Sequence, residues 1–158
     1  MTVDTATVQG RRKLTFRSFD EVLADAERLV SSPNTKTLGN WPLSQLLTHL
    51  ATTINSSIDG MSAKAPWFLR LVGPLVKRRI IKSGMSSGFK LPKEREATAF
   101  PAASSPQEAL GKLRAAVGRL KQERMTARHP VFGKLTHEEW TRLHLRHAEL
   151  HLSFAVPG

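Results

Sequence analysis

THEEWTRLHLRHAELHLSF, residues Thr136 to Phe154, reads as one helix with three histidines on its buried side. Thr136 and Glu139 have the spacing of a capping box, in which the Thr hydroxyl takes an orphan N–H and the Glu reaches back. The helix is therefore expected to begin near His137. At about 100° per residue, Arg142, Arg146, Glu149 and Ser153 cluster on one side, the expected solvent face. His144, His147 and His151 fall roughly opposite, beside Trp140, Leu143, Leu150 and Phe154. An imidazole in an apolar stripe is desolvated, so each of these needs a hydrogen-bond partner or a metal.

His147 and His151 are at i and i+4, about 6 Å apart along the axis, which lets one helix offer two ring nitrogens to one ion. His144 shares the face at i−3. The plainer alternative is that the histidines hydrogen-bond across a core. A catalytic zinc site usually takes three protein ligands and keeps one position open, so a metal reading needs a further ligand from elsewhere.

A chain of 158 residues with 40% hydrophobic content is long enough for one domain with a real core. It has no cysteine, which excludes disulfides, thiolate metal sites and a cysteine nucleophile, so any metal must be held by imidazole and oxygen. The start, MTVDTATVQGRRKLTF, has no basic segment followed by an apolar one, so no secretory signal is read and a cytoplasmic location is expected. Of the net charge of +11, +8 comes from Lys64 to Arg95, with nine basic residues against one acidic. That patch suits an anionic partner, whether a small molecule, a membrane surface or nucleic acid. Lys77, Arg78 and Arg79 are its candidate anion-binding residues.

Residues 1–13 are polar and are expected to be a mobile lead-in, with a single domain over 14–158. Ser18 and Glu21 open a first helix to about Val30. A second is expected from Pro42 to Asp59, with Leu43, Leu46, Leu47, Leu50, Ile54 and Ile58 on its core face. His49 sits at the edge of that stripe, and Gln45, Thr52, Thr53 and Ser56 form a polar strip beside it, either lining a pocket or facing solvent. APWFLRLVGPLVKRRIIKSGM, broken by Gly73 and Pro74, predicts short helices whose apolar residues pack on the rest of the chain or dock on an anionic membrane. It is too short and too charged to span a bilayer. MSSGFKLPKEREATAFPAASSP reads as an exposed connection. Ser105, Pro106 and Glu108 then open a helix to about Met125, on which Gly111 and Gly118 share a face where a neighbour can approach closely. Val131 or Phe132 can plug the end of the core. With no period-two strand in view, the expected fold is all-α, a four-helix bundle with an irregular basic crossover between its second and third helices.

WPLSQLLTHLA, which carries His49, and HLRHAELHLSF, which carries His147 and His151, together resemble the DinB-like superfamily, also called YfiT-like metalloenzymes. The ending HPVFGKLTHEEWTRLHLRHAELHLSF is similar to an uncharacterised branch of it, a domain of unknown function. The resemblance runs from Leu14 onward and is weakest in the basic crossover. It implies an up-down-down-up bundle holding a divalent ion, zinc or nickel, on His49, His147 and His151. It also implies relatives that act as thiol-dependent transferases or isomerases, and, by analogy, a homodimer. Two features depart from that pattern. His144 adds an imidazole that can ligate, hydrogen-bond to substrate or carry a proton, and is the candidate auxiliary acid or base. The basic Lys64 to Arg95 region favours an anionic small-molecule substrate.

The reading is thus a metal-dependent transferase or hydrolase, for which the resemblance implies a low-molecular-weight thiol as co-substrate. Its competitor is a non-enzymatic helical bundle that binds anionic ligands or a membrane surface through residues 64–95. Nucleic-acid binding ranks last, because no reading motif is present and few aromatics are available for stacking. Glu149, about 200° around the helix from His147, is excluded as a ligand.

Overall fold

The computed structural model describes residues 2–62, 64–88, 99–102 and 105–158. Five helices carry the described part: α1 (Phe19–Ser31), α2 (Leu43–Asp59), α3 (Trp67–Ser83), α4 (Pro106–Arg119) and α5 (His137–Leu152). Strands are confined to two-residue pairs. β1 (Lys36–Thr37) runs antiparallel to β4 (Ala155–Val156), and β2 (Arg128–His129) to β3 (Gly133–Lys134). No described helix is long and apolar enough to cross a membrane.

The helix starts follow the capping chemistry. The Ser18 hydroxyl accepts from the Glu21 amide, and the Ser105 hydroxyl from that of Glu108 with Pro106 behind it. Thr136 and Glu139 close both bonds of a capping box, at 3.1 and 2.9 Å. Each such cap satisfies an orphan amide and stabilises the helix by about 1 kcal/mol.

One core is shared by four of the helices. Val22, Ala26 and Leu29 of α1, Leu47, Leu50 and Ile54 of α2, Leu110, Leu113 and Val117 of α4, and Leu145, Ala148 and Leu152 of α5 meet in it. α2 and α4 have the most extensive contact. A second cluster, Met125, Phe132, Leu135, Trp140 and Leu143, fills the space under the turn before α5, with Val76 and Ile80 of α3 packed on it. The β1–β4 pairing ties Lys36 and Thr37, after α1, to Val156 and Ala155 beyond α5.

Several expectations are corrected. α3 is one helix through Gly73 and Pro74, not two short ones. Pro74 lies on the exposed side, where the carbonyl it deprives of a donor can bond to water, so the lost bond is cheaper than in a core. Gly73 faces inward instead, and a Cβ there would collide with the Val131 carbonyl. The apolar residues of α3 are only partly covered: Val76 and Ile80 pack on the second cluster, whereas Trp67, Phe68, Leu71, Val72 and Leu75 are exposed. Lys90, Lys93 and Arg95 of the basic region, with Pro92, lie outside the described residues.

The end of the supposed lead-in is anchored. Arg12 places two guanidinium nitrogens on Asp25, both at 2.7 Å, and donates to the carbonyls of Ala155 and Leu152. It thereby joins α1 to the end of α5, using the planar fork that suits bidentate carboxylate recognition. Arg11 donates to the hydroxyls of Ser153 and Ser87 and lies over the Phe154 ring, 4.1 Å from its centroid. α4 stops at Arg119 rather than near Met125, and there Arg119 binds Asp59 at the end of α2 and Glu123 beyond the turn. Among the described residues, nothing comes within 4 Å of a Cβ placed at Gly111 or Gly118. On α5, Ser153 is buried and Glu149 accepts from the Phe16 amide, so the expected solvent face is partly covered by the N-terminal segment.

Candidate metal centre

The core stripes of α2 and α5 bring His49, His147 and His151 to one place. His49 is 8% exposed and His151 9%, while His147 keeps partial access to solvent. The Nε2 of His147 lies 3.0 Å from that of His49 and 2.9 Å from that of His151. One nitrogen from each ring falls within 4.8 Å of the others. The rings stand nearly perpendicular to one another, at 76°, 72° and 80°, so their edges converge.

Hydrogen bonding does not account for this convergence. His147 Nε2 carries at most one hydrogen, and a nitrogen that carries it has no lone pair left to accept, so it cannot make a well-directed bond to both of the ring nitrogens beside it. His49 donates from Nδ1 to the Ala99 carbonyl, which leaves its Nε2 as a lone pair facing the cluster. A cation at the meeting point satisfies all three. Nitrogens bound to one ion at about 2.1 Å lie roughly 3.0–3.4 Å apart for bond angles between 90° and tetrahedral, close to the two spacings from His147 Nε2. The donor set therefore fits a divalent metal.

The electrostatics agree. Burial pushes His49 down to about 4, against the opposing effect of the Ala99 carbonyl. Burial first, and the neighbouring imidazoles next, hold His147 well below the usual histidine range. Burial, then His49 and the Arg11 guanidinium, do the same for His151. All three rings are neutral near pH 7, the state in which imidazole binds a metal.

The surroundings include residues that the sequence reading missed. Phe100 stacks on His49 at 4.1 Å, and Trp41 stacks on Phe100 at 3.6 Å. Gln45 Nε2 donates to the Phe100 carbonyl at 3.4 Å, so this member of the polar strip supports the aromatic wall. Thr53 bonds back to the Leu50 carbonyl within its own helix, and Thr52 and Ser56 are partly exposed. Trp41, directly before Pro42 and the helix bearing His49, was the available signal. A lone aromatic at position 100 in a Pro- and Ser-rich stretch was a weaker one. Arg11 looked like part of a basic tail until its fixed contacts placed it at the end of α5.

The remaining candidates lie elsewhere. His144 stacks on Trp140 at 5.3 Å, with the Phe19 ring tilted to it at 6.4 Å, and its buried Nε2 has no partner among the described residues. No hydrogen bond joins it to the triad among the described residues. Lys77 pairs with Glu139 in the first turn of α5, 12 positions before His151 and so roughly 18 Å along the axis. Arg78 and Arg79 are exposed on α3. Two surface hollows, one along Thr15–Arg28 and the other beside Asn34 and Val156, include no triad residue.

A predominantly helical protein with three neutral imidazoles from two helices converging on one point belongs to the class of candidate metal-binding proteins. The chain is a member of the DUF1569 family, described as a protein of unknown function, whose profile matches residues 8–158. No curated protein and no solved structure matches it. The matched span includes Arg11 and Arg12.

Proposed function

We propose that the protein is a divalent-metal-dependent enzyme, a thiol-dependent transferase or a hydrolase, on a DinB-like up-down-down-up four-helix bundle. His49, His147 and His151 would hold zinc or nickel. The observation that carries this reading is the approach of two imidazole nitrogens to His147 Nε2, which hydrogen bonding alone leaves unsatisfied. A bound ion would supply Lewis acidity, polarising a substrate carbonyl or making a water or low-molecular-weight thiol a better nucleophile near neutral pH.

The chain's own residues set the rest. The Ala99 carbonyl holds the His49 tautomer, and Phe100 with Trp41 walls one side against water. Arg11 hydrogen-bonds to hydroxyls rather than carboxylates and carries its charge close enough to influence His151, which favours an anionic small-molecule substrate.

The test uses protein purified without a histidine tag. Elemental analysis should find about one zinc or nickel per chain, by the single-site stoichiometry of three ligands. Chelation should abolish turnover of thiol and electrophile panels, and restoring the ion should recover it. Protein that retains no zinc or nickel when offered either would overturn the proposal.

A further inference from the structure

The outward face of α3 is left over from the site. About Leu71, at 100° per residue, Trp67, Leu71, Leu75, Arg78 and Lys82 fall within roughly 40° of one line, with Phe68 and Arg79 beside them. Trp67 is 73% exposed, Leu71 66% and Leu75 80%. Gly73, Val76 and Ile80 occupy the opposite side, against Val131 and the second cluster. The 17-residue helix contains no acidic residue. Its apolar first half and basic second half thus share one outward stripe.

We propose that this stripe docks on an anionic lipid surface. Aromatic and aliphatic side chains on one face of a basic helix are what an interfacial helix needs, with the apolar groups at the acyl boundary and the cations among headgroups. Arg70, Arg79 and Lys82 form no ion pair among the described residues, so their charge is available to phosphate. Charge also decides against a second copy of this chain as the occupant. Two copies joined through the stripe would bring Arg78, Arg79 and Lys82 against a surface equally rich in cations, with no acid on either α3 to offset them.

The full chain is tested by co-sedimentation with vesicles of phosphatidylglycerol and phosphatidylcholine and with vesicles of phosphatidylcholine alone, at low and high salt. Binding is expected to the anionic vesicles at low salt and to be lost at high salt. Tryptophan emission should shift to the blue on binding. Trp67 is the reporter, since Trp140 is 1% exposed and Trp41 is stacked on Phe100. Replacing Arg78 and Arg79 with Gln should weaken partitioning on the order of thirtyfold, at about one headgroup interaction per charge. Trp67→Ser with Leu75→Ser should remove the emission shift and most of the binding, while circular dichroism and metal content stay unchanged. Failure to bind anionic vesicles at low salt, or binding that survives both pairs of substitutions, overturns the proposal. So does a concentration-dependent dimer that Leu75→Ser dissolves in the absence of vesicle binding.

Discussion

α5 places histidines in two environments that differ in everything but residue type. His147 and His151 meet His49, and their nitrogens converge. His144, one turn earlier, stacks on Trp140, which also meets His129, and His129 itself stacks on Phe132 at 4.4 Å. His129 spends its Nδ1 on the amides of Val131 and Phe132, as a turn-forming acceptor. Spacing on one helix therefore does not assign a histidine its role. The partner element does: α2 brings an imidazole with its tautomer already set, whereas the β2–β3 hairpin brings ring faces.

The largest effect that can break this contrast is on metal content. His147→Ala should remove the stoichiometric ion, lowering affinity at least a hundredfold, since loss of a ligand costs more than the 10–100-fold typical of an outer partner. His144→Phe should leave metal content unchanged, as measured by elemental analysis of both variants. Equal losses would show that the two environments form a single site. If His144→Phe instead keeps the ion but abolishes turnover, His144 takes the auxiliary acid–base role.

The second effect is on acid stability. Burial, followed by the charge of His129, pushes His144 down to about 3, and burial pushes His129 down to about 4. Both folded values lie below the ordinary 6.5, so the unfolded chain binds more protons in this window. Their stabilising contribution is complete above about pH 6.5 and is lost as the pH falls towards the folded values. For the buried His144 the loss at pH 5 amounts to about 2 kcal/mol. Denaturant titrations at pH 7.5 and 5 should show it, and His144→Phe should flatten that part of the dependence. An unchanged pH profile in the variant would mean that His144 is hydrated and charged in the folded protein.

The contrast also explains what was legible in the sequence. Ser18, Ser105 and Thr136 marked helix starts because a cap is local chemistry, and the apolar periodicity of α1, α2, α4 and α5 marked their shared core. The positions of His49, His147 and His151 followed from helix geometry together with a family resemblance. What stayed hidden depended on contacts distant in sequence. Pro74 implied a break, yet exposure of its side of α3 made a continuous helix tolerable. The run Arg11–Arg12–Lys13 looked like a tail, yet Asp25, Ser153 and the carbonyls of Leu152 and Ala155 fix two of its members. Phe100 could not be linked to His49 by any pattern, because 50 residues separate them.

The smallest effect sharpens the contrast by touching neither set of histidines. Gln45 lies four residues, about one turn, before His49 on α2 and reaches the carbonyl of Phe100, whose ring covers the His49 imidazole. The adjacent Ala99 carbonyl receives the His49 Nδ1 hydrogen, so one short stretch of backbone both covers and orients the ligand. Gln45→Ala releases that stretch from α2 without removing a ligand. Metal affinity should fall roughly tenfold, the low end for an outer-shell partner because the bond is long. Competition with a chromogenic chelator measures this directly. The pH profile of stability, governed by His144 and His129, should not move. If both change together, the Ala99–Phe100 stretch supports the whole domain and does not specifically hold His49.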